Sequence, residues 1–412
     1  MRAEGGPTPS ALVNEMLDKL EEYAPNIFSD PKKTFCDPVM GTGTFLIAIK
    51  ERLMEGLKEA IPDEAKREAH IVNNMLFGSD INQSKVNIAR KLLGNSNHIN
   101  KEDSLTKNWN MKFDVIIGNP PYQASKRESN KGAGSGNAIW QYFVEKSYEI
   151  LQNNGYLCFV HPIDWRMGPT SKKKQKAQNI LLNNQIIYAK LNQMPFVGVG
   201  QTVDWYVLQK TPIKHESIIE FNDGIYKKMI TDEPLTNLGN PIIESIKNKI
   251  FQVENNGFNG GTSFWYDPDK GKNKTYKYAH GGNYLRGEYK YYDTPHKDQF
   301  KPKVLMSNVR MPRPVFDPGK LGIAGHVSYI VVKNKKEGEF FIQLIKSKLM
   351  KFLYQIYATD HLRSDGYGAR WQNNYPLTKI KLSEDELKND KDVYKHFNLS
   401  KDEIDYIETH TK

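Results

Sequence analysis

Short, densely apolar runs alternate with longer amphipathic stretches through the first half of the chain. Phe35-Cys36, Leu76-Phe77, Val115-Ile116-Ile117 and Leu157-Cys158-Phe159-Val160 are continuous apolar segments flanked by polar or turn residues. That is the pattern of strands buried on both faces of a parallel sheet. Between them, apolar residues recur at helical spacing, beginning with Leu12, Val13, Met16, Leu17 and Leu20 just after Thr8-Pro9. Further helices are predicted from the glycines near 41–43 to about residue 60, over 61–75, over Gln83–Leu93, over 139–151 and from Lys172 to about Leu182. Residues 98–104 read as a third strand, and 185–193 and 201–209 as two final ones. This alternation predicts an α/β domain over residues 1–212, with a mostly parallel sheet.

After Thr211-Pro212 the rhythm stops. A helix is predicted over 242–251, short strands and loops over 252–330, and one strongly amphipathic helix over 337–357. Ser400-Lys401-Asp402-Glu403 has the form of a capping box opening a last helix. The second domain is therefore expected to span 213–412 and to be α+β.

The strand around Val115 ends in Gly118-Asn119-Pro120-Pro121-Tyr122. Two successive prolines lack backbone N–H groups and fix φ, so the chain must leave the sheet in a rigid, extended turn. Such a turn at the carboxyl end of a central strand lies where open α/β sheets hold ligands. Earlier strands end in acids: Asp37, Asp80-Ile81 and Asp103-Ser104. Each acid alone would be an ordinary loop carboxylate; three on successive strand ends suggest a ligand. Asp37-Pro38 leads into Gly41-Thr42-Gly43, which is not the dinucleotide fingerprint, and no Lys-Ser/Thr follows as a phosphate loop requires. An acid ahead of the glycines suits a cationic or hydroxyl-bearing ligand. Phe196, in a loop bounded by Pro195 and Gly198, is a large aromatic in need of a partner, such as the second face of a flat ligand. His161, ahead of Pro162, fits a structural role better than a catalytic one.

Composition narrows the partners. The net charge of +10 and pI near 9.1 suit a polyanion. Residues 261–315 hold 11 Lys/Arg against five Asp/Glu, interleaved with ten aromatics, the mixture that phosphate and base contacts jointly need. Candidate contacts are Lys131 in a Gly- and Lys-rich loop, Lys172 in a lysine run, and Lys274, Lys277, Arg286, Arg310 and Arg313. Cys36 and Cys158 are the only cysteines, too few for a disulfide scaffold or a four-cysteine zinc site, and both lie in apolar runs. No metal is called for. With no secretory signal and no long apolar run, a cytoplasmic protein is expected.

Taken together, these motifs resemble the amino-group DNA methyltransferases of the adenine-N6, gamma-type arrangement, over about residues 7–212. The resemblance implies a Rossmann-like sheet with helices on both faces, S-adenosylmethionine as cofactor, and a C-terminal target-recognition domain that binds duplex DNA. It implies Thr8-Pro9, Asp37-Pro38, Gly41, Gly43, Asp80-Ile81, Asp103-Ser104 and Asn119 at the cofactor. Asn119, Pro120, Tyr122 and Phe196 would act on a base flipped out of the duplex. Val39-Met40 departs from the small residues usual there, and the interval from Asp37 to Asp80 is wider than the minimal fold needs. RNA adenine, cytosine-N4 and protein glutamine amides stay open as substrates, as does a non-catalytic specificity subunit. A monomer is expected, with any restriction endonuclease a separate partner.

Overall fold

The computed structural model describes residues 8–94, 96–123, 138–166, 172–196, 202–231, 233–259, 275–307, 313–357 and 375–411. They form two compact units, Met1–Leu235 and Thr236–Lys412. The first unit contains strands β1 (Phe35–Asp37), β2 (Leu76–Asp80), β3 (Ile99–Lys101), β4 (Phe113–Gly118), β5 (Leu151–Pro162), β6 (Gln185–Gln193), β7 (Val203–Gln209), β8 (Ser217–Phe221) and β9 (Gly224–Lys228). Its helices are α1 (Ser10–Tyr23), α2 (Thr44–Gly56), α3 (Glu64–His70), α4 (Gln83–Leu93), α5 (Trp140–Ile150) and α6 (Lys172–Leu182).

All nine strands join one sheet in the order β3-β2-β1-β4-β5-β7-β6-β8-β9. β3, β2, β1, β4 and β5 run parallel, and β7 lies antiparallel between β5 and β6. The strand order reverses between β1 and β4, a topological switch point that opens a crevice at the carboxyl ends of both strands. Side chains of β4 alternate between two cores. Val115 and Ile117 join the cluster containing α1, α2 and α4, whereas Ile116 joins the one containing α5 and Trp165. All three are fully buried, and each contributes about 1.5–3 kcal/mol. A strand anchored on both faces holds the turn that follows it.

The expected boundary at residue 212 moves to 235, because β8 pairs parallel with β6 and β9 closes the sheet edge. Ser217, Ile219 and Phe221 are buried and Ile218 and Glu220 only half so, a strand alternation obscured by the polar residues around it. The third strand is shorter than expected, ending at Lys101. Asp103 breaks it: its carboxylate accepts from the Leu105 amide at 3.0 Å, an Asx turn. Helix α3 is capped by Asp63 and passes into a π-helical turn, Ile71–Met75, rather than one helix over 61–75. These elements occupy the wide interval between Asp37 and Asp80.

The second unit holds two three-stranded sheets. One comprises β10 (Tyr276–Ala279), β11 (Lys290–Tyr292) and β14 (Gly322–Ile323); the other comprises β12 (Lys303–Ser307), β13 (Val315–Asp317) and β15 (Val327–Val331). Helices α7 (Ile242–Ile250), α8 (Lys335–Lys346), α9 (Lys348–Ile356), α10 (Tyr375–Lys379), α11 (Asp390–His396) and α12 (Lys401–His410) complete it. The single helix expected over 337–357 is two. Ser347 leaves helical geometry with ψ 160°, and its hydroxyl caps Met350 N while donating to the Leu344 carbonyl. The capping box at Ser400 and Glu403 is formed. Among the described residues, no helix is long and apolar enough to cross a membrane.

Candidate active site

Asp37 ends β1 and Gly118 ends β4, on either side of the switch point. Asp37 is 1% exposed, and its Oδ1 accepts from the Val39 amide at 3.0 Å. Gly118 packs so closely on this carboxylate that a Cβ there would lie 2.7 Å from Oδ1. Burial, opposed by the Val39 amide and reinforced by the nearby Asp80 charge, pushes the Asp37 pKa up to about 8. Asp80 is tied to the backbone through both oxygens: Oδ2 accepts from Gly41 N at 3.1 Å and Oδ1 from Asn82 N at 2.7 Å. The glycine turn is thus locked to the neighbouring strand.

The turn needs its glycines for different reasons. Gly43 has φ +91° and caps α2, and a Cβ on it would meet Ala89 Cβ at 3.3 Å. Gly41 has φ +57° and faces open space, with nothing within 4 Å of where a Cβ would be. Val39 and Met40 fit although they are larger than the residues usual in the motif. Val39 packs against one core and Met40 into the other, with the Met40 sulfur filling the space left by Gly78, where a Cβ would be 2.7 Å from it.

Beyond Gly118, the Asn119 side chain is held at both ends. The Tyr122 hydroxyl donates to Oδ1 at 2.9 Å, and Nδ2 donates to Thr8 Oγ1 at 3.3 Å. Tyr122 and Phe196 are both partly buried and pack against the same core cluster. Thr8 is buried, and Pro9 is the N-cap of α1. The turn, the first helix and the β6–β7 hairpin therefore converge. Ile81 is exposed beside Asp80. Asp103 is exposed and Ser104 buried, both in the turn beyond β3, and Asp103 spends one carboxylate oxygen on that turn.

The basic candidates divide differently. Lys131, Lys274 and Arg310 lie outside the described residues, and Lys172 opens α6. Lys277 Nζ sits 3.7 Å above the Tyr289 ring. Arg286 is exposed but shares its charge with Glu288 at 3.3 Å, and Arg313 is exposed ahead of β13.

Sequence reasoning missed a buried network at the base of the loop carrying Phe196. Asp204 at the start of β7 accepts from Arg166 Nε at 2.7 Å, from Trp165 Nε1 at 2.9 Å and from the Asn192 amide at 2.8 Å. Arg166 also donates to Asn192 Oδ1 at 2.6 Å and to the Leu235 carbonyl at 3.0 Å. Asn192 adopts φ +58° at the end of β6. Both stems of the hairpin are thereby fixed. The signal available in sequence was a carboxylate inside the aromatic run Val203-Asp204-Trp205-Tyr206, which demands a partner if buried. His161 is fully buried, stacked on Trp140 at 4.5 Å, and held neutral with its pKa pushed down to about 4 by burial. It is part of the core.

Residues 51–192 match the model of the Eco57I restriction-modification methylase family. The matched segment includes Asp80, Asn119 and Tyr122, whereas Asp37 and Phe196 lie outside it. Curated relatives include an uncharacterized adenine-specific methylase of Mycoplasma pneumoniae, 26% identical over 43% of this chain and 57% of that protein. The type II restriction enzyme and methyltransferase RM.BcgI of Heyndrickxia coagulans is 29% identical over 45% of this chain and 30% of its own length. The type II methyltransferase M.VspI of a Vibrio species is 28% identical over 49% and 47%. The chain spans about half, or less, of the length of these relatives. Among solved structures, the type I restriction enzyme EcoKI M protein has a TM-score of 0.42 at 14% identity over 55% of this chain and 51% of its own. The type IIL restriction-modification enzyme MmeI, in complex with DNA, has 0.46 at 13% over 92% and 65%. At these scores the fold rests on the strand order itself.

Proposed function

We propose that this chain transfers a methyl group from S-adenosylmethionine to the N6 amine of an adenine taken out of duplex DNA. The observation that carries the reading is Asn119 on the double-proline turn at the switch point, directly after Gly118, which packs on the Asp37 carboxylate, with its amide held by Tyr122 and Thr8. The adenine-specific relative gives the choice of base.

The residues present fit this cofactor. Gly41 leaves open space at the turn, and Asp37 is a buried carboxylate whose pKa is raised by burial and by the Asp80 charge, the environment that a positively charged ligand would relieve. Asp37, Gly41, Gly43 and Asp80 would hold the cofactor, with Thr8-Pro9, Pro38, Ile81 and the Asp103-Ser104 turn around it. When bound, it supplies an electrophilic methyl group on a sulfonium. The chain's part is to make a poor nucleophile competent. The lone pair of an exocyclic amine is delocalised into the ring. Asn119 Oδ1 has two acceptor sites, of which Tyr122 takes one, leaving the other for an amine hydrogen. The Pro120 carbonyl accepts the second hydrogen. Together they favour a pyramidal, positively charging nitrogen, an electrostatic and positional contribution. Tyr122 and Phe196 would sandwich the base and offset part of the few kcal/mol of unstacking. Lys277 and Arg313 in the second unit are candidates for phosphate contact.

Incubation with duplex DNA and methyl-labelled S-adenosylmethionine, followed by nucleoside analysis, tests the reading. Label in N6-methyladenine supports it; label only in cytosine, RNA or protein overturns it.

A pH dependence follows from Asp37. In the cofactor-free protein its carboxyl keeps the proton up to about pH 8, so pairing with a cationic ligand must release that proton. Affinity for S-adenosylmethionine is expected to rise with pH below about 8, by at most about tenfold per unit, and then level off. Equilibrium dialysis across this range should show the slope, and Asp37→Asn should flatten it. Because the folded state holds the proton more tightly than the unfolded one, the same group makes the cofactor-free fold lose stability as pH rises from the ordinary carboxylate range towards about 8.

A further inference from the structure

A side-chain amide is chemically two-faced: one end accepts hydrogen bonds, the other donates. If Asn119 is to accept from an amine, its oxygen must face the base, because the flipped amide would oppose NH2 to NH2. Local sequence cannot fix this choice. The structure holds each end of the amide with a different hydroxyl. Tyr122, three residues on, donates to Oδ1 at 2.9 Å, and Thr8, 111 residues earlier, accepts from Nδ2 at 3.3 Å.

The two hydroxyls are unequal. A phenol oxygen has its lone pairs conjugated with the ring, making it the better donor, and an aliphatic hydroxyl is the better acceptor. Burial raises the Tyr122 pKa further above the ordinary phenol value, so it stays a donor at every working pH. Thr8 is also well anchored. It lies one residue ahead of Pro9, the N-cap of α1, and that helix buries Leu12, Val13, Met16, Leu17 and Leu20 in the same core that Tyr122 packs against.

We propose that Thr8 is a positioning residue for methyl transfer, which with Tyr122 sets the rotation of the Asn119 amide so that oxygen, not nitrogen, meets the substrate amine. This rests on the reading of Asn119 as the acceptor of that amine. It gives Thr8 a role different from the cofactor contact implied by the family resemblance. The α1 helix then contributes to the chemistry through one hydroxyl at its entrance.

The full chain, duplex DNA and labelled S-adenosylmethionine serve for the test, with Thr8→Val, Thr8→Ser and Tyr122→Phe. Thr8→Val keeps the side-chain shape but loses the acceptor. Its single-turnover rate at saturating cofactor should fall about five- to tenfold, the effect of one neutral hydrogen bond, while the cofactor Kd by equilibrium dialysis stays within about twofold. Thr8→Ser should recover the rate. In protein labelled with 15N-asparagine, the Asn119 NH2 protons, assigned by their loss in Asn119→Ala, should exchange with water faster in Thr8→Val. A weakened cofactor Kd with an unchanged saturated rate would make Thr8 a cofactor ligand only and overturn the proposal. Failure of the unsubstituted protein to methylate DNA would sink the functional reading instead, and amide exchange then decides the clamp alone: unchanged exchange in Thr8→Val overturns it. Should Thr8→Val fail to fold, Tyr122→Phe probes the other end. Unchanged rate and exchange there overturn the clamp equally.

Discussion

Asn119→Ala is expected to remove methyl transfer, lowering the rate at least about 10²- to 10³-fold, the scale on which loss of one preorganised hydrogen-bonding group is felt. Affinity for S-adenosylmethionine should change little, because Asp37 is held by the Val39 amide and Asp80 by the Gly41 and Asn82 amides, contacts that do not include the Asn119 side chain. Nor should the fold be lost. Asn119 is only half-buried and follows β4, whose apolar residues carry the packing energy. Asn119→Asp makes the sharper comparison. A carboxylate keeps the acceptor facing the amine but loses the donor to Thr8, and it adds a charge in a partly buried site. It should retain more activity than alanine and far less than asparagine. Single-turnover rates with cofactor binding measured in parallel check both; unchanged turnover in the alanine variant would take Asn119 out of the mechanism.

The second large effect falls on stability. Asp204 and Arg166 are both 0% exposed in their side chains, and Asp204 accepts from three donors. Removing one member of a buried ion pair leaves the other uncompensated, at a cost of about 3–5 kcal/mol. Asp204→Ala should therefore lower the melting temperature of the first unit by roughly 6–20 °C, at about 2–4 °C per kcal/mol for a unit of this size. Scanning calorimetry measures it, and a shift under about 2 °C would refute the role given to the pair. Replacing both partners, as Arg166→Met with Asp204→Leu, should recover only part of the loss. The Trp165 indole and the Asn192 amide would still be left without their acceptor.

What could be read from sequence follows from where the information is local. β4 and β5 were legible because strands buried on both faces announce themselves as apolar runs. Acids at strand ends and the double proline are likewise properties of adjacent residues. The break at Ser347 was not legible, because the apolar period continues through it into α9 and only the cap marks the stop. β8 was hidden for a different reason: five alternating residues between polar stretches identify a strand only once β6 is there to pair with it. The Arg166–Asp204 pair joins positions 38 residues apart, and the clamp on Asn119 joins positions 111 apart. Neither separation leaves a trace in local pattern, so the motif could be recognised while the groups that orient it could not.

The sheet's extension to β9 bears on how the first unit could be excised. A cut at residue 212, where composition changes, would strip β8 from β6 and leave a bare edge of amide and carbonyl groups ready to pair with another molecule. It would also carry away Leu235, whose carbonyl is one of the acceptors of Arg166. The severed fragment would lose one contact of the network beneath the Phe196 loop as well as its protective border, where Lys227 and Lys228 now stand on the outermost strand. A fragment ending after 235 keeps both, so the smallest portable piece of this protein is set by a strand edge and one backbone carbonyl rather than by the motifs.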